Sequence, residues 1–398
     1  MVLVSRSDSF IRAGFHDPNA VAGTPGGGGG GGGGTFPPDT TLTYVTPPSV
    51  PAVPGYLTQV VEPTWGTHLE RISNVNLQRN AYARIPAWNC DQTKILLGFS
   101  NAPYAYLDGT TYAILRTTSS LVGYATWSNV NPNKLYGTFT GDTNFYSQNP
   151  TTDAFTVIRN FAGDGYTEVS LGDGEGTIDD TDTRVVLMTR AAGGTQGAIV
   201  YNIATNTIEA TRTFGGIRPN NAGITRLGGY VIVSFSADGS TSTTGLWKFN
   251  RDFSGGVQLT TTARHGDGAL DASGNEIFVT CSPNFISYDM ASNTPTTLVA
   301  NGNAFQNGHV SGRNITRHGW VYASMYDNTG MASHPGYDQV VAIKTDGSGT
   351  VEVFGFSNSR SNGYNQSPFA VPSPDGQRVA FGSDWGNGPN TYAYVFSA

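Results

Sequence analysis

Phe369–Trp385 reads FAVPSPDGQRVAFGSDW, and this stretch decides the fold. It has an apolar start, a Ser-Pro-Asp-Gly turn and a β-branched run in which apolar and small residues alternate. Asp-Gly suits a tight connection between antiparallel strands, and alternation gives a strand two packing faces, so the stretch reads as one hairpin. The same phrase recurs. Ile85–Phe99 is IPAWNCDQTKILLGF and Ala125–Thr138 is ATWSNVNPNKLYGT, and more worn copies begin at Leu171, Ala222, His265 and His309. Seven copies start at roughly 40 to 60 residue intervals, the length of a four-stranded propeller blade and well above that of a hexapeptide or leucine-rich repeat.

The expected fold class is therefore all-β: a single β-propeller of about seven four-stranded blades over residues 56–398, each repeated hairpin being the inner strand pair of a blade. No helical stripe interrupts the pattern. The last copy leaves room for only about three strands before Ala398, and Thr67–Ser73 (THLERIS) is expected to supply the fourth, closing the ring and removing an exposed sheet edge. Residues 1–55 differ in kind. They hold an uninterrupted glycine run, Gly26–Gly34, followed by Pro37, Pro38, Pro47, Pro48, Pro51 and Pro54, a flexible piece followed by a stiffer one. They read as an extended Gly/Pro-rich N-terminal arm whose Phe10, Ile11, Phe15 and Phe36 can dock on a neighbouring subunit.

Composition narrows the function classes. Charged residues make up 13% of the 398 positions, about half the ~25% usual for soluble domains, and the formal net charge is −7 with no basic run, which argues against nucleic acid as a partner. No apolar stretch approaches the ~18 residues of a membrane span, and the first twenty residues carry charge and a turn where a secretory leader needs an apolar core. Cys90 and Cys281 sit in strand-like runs and read as buried thiols. The acidic run Asp173, Glu175, Asp179, Asp180, Asp182 lacks the spacing of a calcium loop and reads as a solvated turn. Trp88, Trp127 and Trp385 lie inside the repeat phrase and read as inter-blade core, whereas Tyr104, Tyr106 and Tyr112 are expected to form an exposed, sugar-binding patch.

SPDGQRVAFGSDW and PAWNCDQTKILLGF resemble the repeat of TolB-type propellers, and GHVSGRN, GWVYAS and NQSPFAVPSPDGQRVAFGSDWG are most similar to the oligogalacturonate and ulvan lyase propellers. The resemblance covers nearly all of residues 56–398. It implies a polysaccharide lyase site at one rim of the central axis, where His265 and His309 open successive blades and Arg264, Asp267, Arg313 and Asn314 accompany them. A β-elimination needs a base and a group that neutralises the uronate carboxylate, roles for which His265 or His309, Arg313 and Tyr326 are the candidates. In the oligogalacturonate lyases a Gln and several histidines hold a metal. Here Gln366 and His309 match, but Phe369 and Val371 stand where further histidines are expected. Two neutral ligands would hold a divalent cation only weakly, which puts metal-dependent chemistry in doubt; the expectation is no cofactor, with a divalent cation on His309 and Gln366 as the alternative.

Two readings follow. The first is a non-enzymatic structural or adhesive propeller, a virion (phage) or other extracellular assembly component, oligomeric through residues 1–55 and able to bind cell-surface polysaccharide. The alternative is a lyase cleaving a uronic-acid polymer by β-elimination. The arm, the absent leader and the eroded metal set favour the first.

Overall fold

The computed structural model describes residues 36–98, 102–172, 177–281, 284–300, 308–325, 334–360, 363–386 and 388–398. Its strands form seven antiparallel sheets, one per blade. Blades 2 to 5 have four strands each: Thr126–Trp127 to Phe155–Asn160, Tyr166–Ser170 to Thr207–Thr213, Asn221–Ile224 to Val257–Thr260, and Gly266–Leu270 to Pro295–Val299. Blade 1 has three, Lys94–Leu97 to Ile114–Thr118, with Trp88 bridging Ile95 in the innermost position. Blade 6, His309–Ser311 to Thr350–Phe356, gains Asp39–Thr41 on its outer edge. In blade 7 the innermost pair is Val371–Pro372 with Arg378–Ser383, as the repeat phrase predicts.

Ring closure is also where the sequence places it. His68–Arg71 pairs with Tyr392–Ser397, Tyr394 opposite Arg71 and Ser397 opposite His68. Gln59–Val61 then adds a further outer strand. The compact unit begins at Thr35, so residues 36–55, assigned to the arm from composition, go with the propeller: Trp385 Nε1 donates to Pro51 O at 2.8 Å, and the Phe36 ring lies 3.5 Å from the Arg317 guanidinium carbon. Residues 1–35, the rest of the expected arm, lie outside the described residues.

Alternation on Arg378–Ser383 shows how the blades pack. Val379 and Phe381 face blade 6, in a cluster with Tyr322, Val340, Ala342 and Phe354. Ala380 faces blade 1, with Trp88, Ile95, Leu97 and Leu107. Large side chains thus fill one seam and small ones let the next blade approach. The turn of the phrase has a fixed chemistry as well. Gly376 takes φ +74°, Asp375 caps Gln377 N–H, and Ser373 Oγ accepts from Arg378 N–H at 3.1 Å. Asn89, Asp179 and Asp271 do the same in blades 1, 3 and 5, accepting from Lys94, Thr183 and Asn275.

That equivalence corrects the reading of the acidic run. Asp179 is the turn-former of blade 3 and is buried, Asp180 pairs with Arg226 at 2.5 Å, and Asp182 accepts from Ser128 Oγ and Asn129 N–H of blade 2. These carboxylates tie blades together; they are not a solvated loop. Asp173 and Glu175 lie outside the described residues.

Trp88, Trp127 and Trp385 are buried core, as expected. Tyr106 and Tyr112 are also buried, Tyr106 beside Trp127 and Tyr112 in the blade 7–blade 1 seam, and Tyr104 is half-buried. These three tyrosines therefore form no exposed patch. Their stretch contains a strand, Tyr104–Asp108, and the β-period turns Tyr106 inward.

The packing makes stability testable at two places. Phe381→Ala empties a ring-sized space in the blade 6–blade 7 seam and should cost about 3–5 kcal/mol in denaturant unfolding; a loss below about 1 kcal/mol would contradict this packing. Asp338 is buried, and desolvation raises its carboxyl to about 6 despite the opposing Arg360 guanidinium and Ser357 hydroxyl. The folded protein then holds that proton more tightly than the unfolded chain. Stability contributed by this group is greatest below the unfolded-state value near 3.8 and falls as pH rises to about 6, by up to about 3 kcal/mol. Asp338→Asn should remove that fall, so the variant's disadvantage relative to wild type should shrink between about pH 4 and about pH 7. An unchanged difference would contradict it.

Candidate active site at the axial mouth

All inner strands run from the same rim, so residues at their starts share one opening. His309 begins the inner strand of blade 6, His265 directly precedes that of blade 5, Asn221 begins that of blade 4, and Phe369 lies two residues before that of blade 7. The sequence also forces a further group onto this rim. Once His68–Arg71 has closed blade 7 at its outer edge, the chain must return to the axis to start blade 1, and residues 72–86 make that crossing. Ile72 N–H and Leu77 N–H hold to Ala393 O and Thr391 O of blade 7, and Gly98 N–H of blade 1 donates to Arg79 O.

The crossing brings Arg79, Asn80, Tyr82 and Arg84, all buried, to the mouth. Asn80 Nδ2 donates to Phe369 O, and the Arg79 guanidinium donates to Ser367 O, lies 3.4 Å from Tyr364 O, and stacks 4.8 Å from the Phe369 ring centre. Arg84 Nη1 reaches across to Asn221 Oδ1 of blade 4 at 3.1 Å. Tyr82 reaches blade 5, its hydroxyl 3.2 Å from His265 Nδ1. Either atom can be the donor, depending on the imidazole tautomer.

Around that bond sits a closely packed aromatic floor. Phe369 lies 4.5 Å from the His309 ring and 4.7 Å from Tyr82, and Tyr82 lies 5.3 Å from His309. The two histidines are 5.8 Å apart. His309, Tyr82 and Phe369 are buried, while His265 is exposed. The arrangement therefore presents one imidazole to solvent, backed by a buried phenol that orients it, which suits proton transfer to or from a bound molecule.

Other residues expected at this rim have different partners. Arg313 forms a two-bond pair with Asp267, Nε to Oδ2 at 2.8 Å and Nη2 to Oδ1 at 2.6 Å, and also donates to Gly268 O. Gly312 N–H adds a bond to the same carboxylate, and both side chains are buried. This pair links blade 5 to blade 6. Asn314 Nδ2 donates to Arg317 O and to Trp320 O, the second at 3.0 Å, in the turn at the opposite end of the inner strand. Arg264, next to His265 in sequence, is half-buried, and its charge lies near the Tyr288 hydroxyl of blade 5. Tyr326 lies outside the described residues.

No group of three or more His, Cys, Asp or Glu side chains able to hold a metal ion occurs among the described residues. Beside His309 stands the Phe369 ring, Val371 is buried in the seam toward blade 1, and the Gln366 backbone carbonyl accepts from Ser359 Oγ. An aromatic and an aliphatic residue flank the two neutral donors, and this set does not fit a dedicated divalent-cation site. Cys90 is no substitute: burial, with the nearby Asp91 and Asp182 carboxylates, pushes its thiol up to about 11.

Tyr82, Arg79 and Asn80 thus complete the packing at the mouth, and sequence motifs single out none of them. The available signal is positional, since the peptide after a ring-closing strand has to traverse one face.

No family model matches the chain, and no curated protein matches it. Solved structures do. An oligogalacturonate lyase in complex with manganese superimposes with a TM-score of 0.60 at 12% identity, covering 91% of this chain and 98% of that one. The oligogalacturonate lyase of Vibrio parahaemolyticus gives 0.58 at 12% identity with the same coverage. The fold is that of the oligogalacturonate lyases. One of those structures carries manganese, whereas among the described residues of the present chain no three His, Cys, Asp or Glu side chains stand together to hold a metal ion.

That difference gives a test independent of activity. A bound ion stabilises the folded state by mass action, so a fitted site would raise Tm on saturation. Exhaustive chelation, followed by addition of manganese, is expected to leave Tm within about a degree; a rise of several degrees would show that a metal site exists.

Proposed function

We infer that the protein is a polysaccharide lyase that cleaves a uronic-acid polymer by β-elimination at the axial mouth. The observation that carries this reading is the Tyr82–His265 pair, one partner buried and the other exposed, at the rim of an oligogalacturonate-lyase-type propeller. In the proposed step His265 takes the proton on the sugar carbon beside the carboxylate. That C–H bond breaks, a C–C double bond forms, and the glycosidic oxygen on the next carbon leaves and takes a proton from water; the imidazolium then returns its proton to solvent. With Nε2 taking that proton, Nδ1 carries the ring hydrogen and donates it to the Tyr82 hydroxyl oxygen, which fixes the tautomer and orientation of the imidazole while Phe369 and His309 pack against Tyr82. Arg264, half-buried next to His265, is the group proposed to offset carboxylate charge in place of the engaged Arg313.

This departs from the adhesive, virion-borne propeller favoured from composition. Nothing in the fold or in the structural likenesses bears on attachment to a virion, and the two lyase structures favour the enzymatic alternative.

Incubation with polygalacturonate, alginate and ulvan, followed by the near-ultraviolet absorbance of the unsaturated product, tests the reading. Turnover is expected on at least one of these polymers. His265→Ala should lower kcat by a factor of about 10² or more and Tyr82→Phe by a smaller factor, with Tm of both variants close to wild type. Absence of product from all three, or full activity in His265→Ala, would overturn it.

A further inference from the structure

Tyr364 is the most exposed large apolar or aromatic side chain among the described residues, 60% accessible, yet its ring is anchored 5.1 Å from Phe369, the centre of the aromatic floor. Its backbone is gripped from below. The buried Arg79 guanidinium donates to Ser367 O and lies 3.4 Å from Tyr364 O, so one cation spans the single turn Tyr364–Gln366 that carries the ring. Gly382 makes room for this: a Cβ there would stand 2.5 Å from Arg79 Cδ. An exposed aromatic face with a fixed base is costly to leave in water and is suited to the C–H face of a pyranose.

Phe369 separates Tyr364 from the reacting groups. Tyr364 contacts Phe369, Phe369 contacts Tyr82 and His309, and His265 lies a further 5.8 Å from His309. A sugar on Tyr364 is therefore a neighbour of the unit at His265 and not that unit itself. We propose that Tyr364, cantilevered on Arg79, is a subsite platform that stacks on a neighbouring sugar of an extended uronate chain and makes the protein select longer chains. This rests on the lyase reading for the chemistry at His265, but the binding it describes does not require turnover.

The test is a chain-length series. Tyr364→Ala should raise KM for long chains by roughly three- to tenfold, the range of one aromatic contact, with kcat and the KM of the shortest cleaved substrate unchanged. Tyr364→Phe should retain the wild-type values. In parallel, retardation of catalytically silent His265→Ala in a gel containing the polymer reads binding alone. Retardation that Tyr364→Ala relieves supports the platform even if wild type turns nothing over, in which case the lyase reading alone fails. Turnover that is indifferent to Tyr364→Ala at every length sinks the platform and leaves the lyase standing. An equal loss of kcat at all lengths, or no retardation by any polymer, also overturns it.

Discussion

The pairing of His68–Arg71 with Tyr392–Ser397 is the constraint on which the other features depend. It covers the outer side of Tyr392–Ser397, and it fixes where the chain stands when it must begin blade 1. The only route from that outer edge to the axis lies over the face where inner strands start. Residues 72–86 take it, and their side chains become the floor of the mouth. Closing the ring and building the candidate site are thus one event in covalent terms: Arg79 and Asn80 grip blade 7, Arg84 reaches blade 4, and Tyr82 reaches blade 5.

A buried cation such as Arg79 needs a reason, because its desolvation cost is met only when its donors are satisfied. Here the return is positional. Its guanidinium serves two carbonyl positions of the loop before blade 7 and the face of Phe369, a residue held at φ +48°, which a non-glycine side chain rarely adopts. The cation and the aromatic contacts converge on one loop, which is what a preorganised surface requires; the positive φ itself recurs at Tyr124, two residues before the inner strand of blade 2.

Much of the fold is legible in the sequence because its signal is local and repeated. The Ser-Pro-Asp-Gly hairpin at Phe369–Trp385, its six relatives and the closing strand all appear where the repeat places them. The acidic run reads as a solvated turn only while Asp179 is weighed as a charge; its place in the phrase equals that of Ser373 and Asn89. Tyr104 and Tyr106 look exposed only if their stretch is a loop, and it is a strand. At the mouth, the position of His265 and His309 at blade starts makes them visible. Tyr82 and Arg79 leave no such mark, since their partners lie nearly 200 and nearly 300 residues away and no motif identifies a crossing peptide. Arg313 shows the converse: its residue type suits a carboxylate, and it finds one inside the fold, in Asp267.

The central claim is that the ring-closing peptide and blade 5 together present a reactive imidazole at the mouth. A crystal structure of Tyr82→Phe with a bound oligouronate tests it most directly. The account predicts a uronate ring over His265, with the hydrogen-bearing carbon beside the carboxylate within reach of the imidazole and the substituted ring still packed on Phe369. A ligand bound on an outer blade edge, or a mouth in which residues 72–86 leave the axis uncovered, would contradict it.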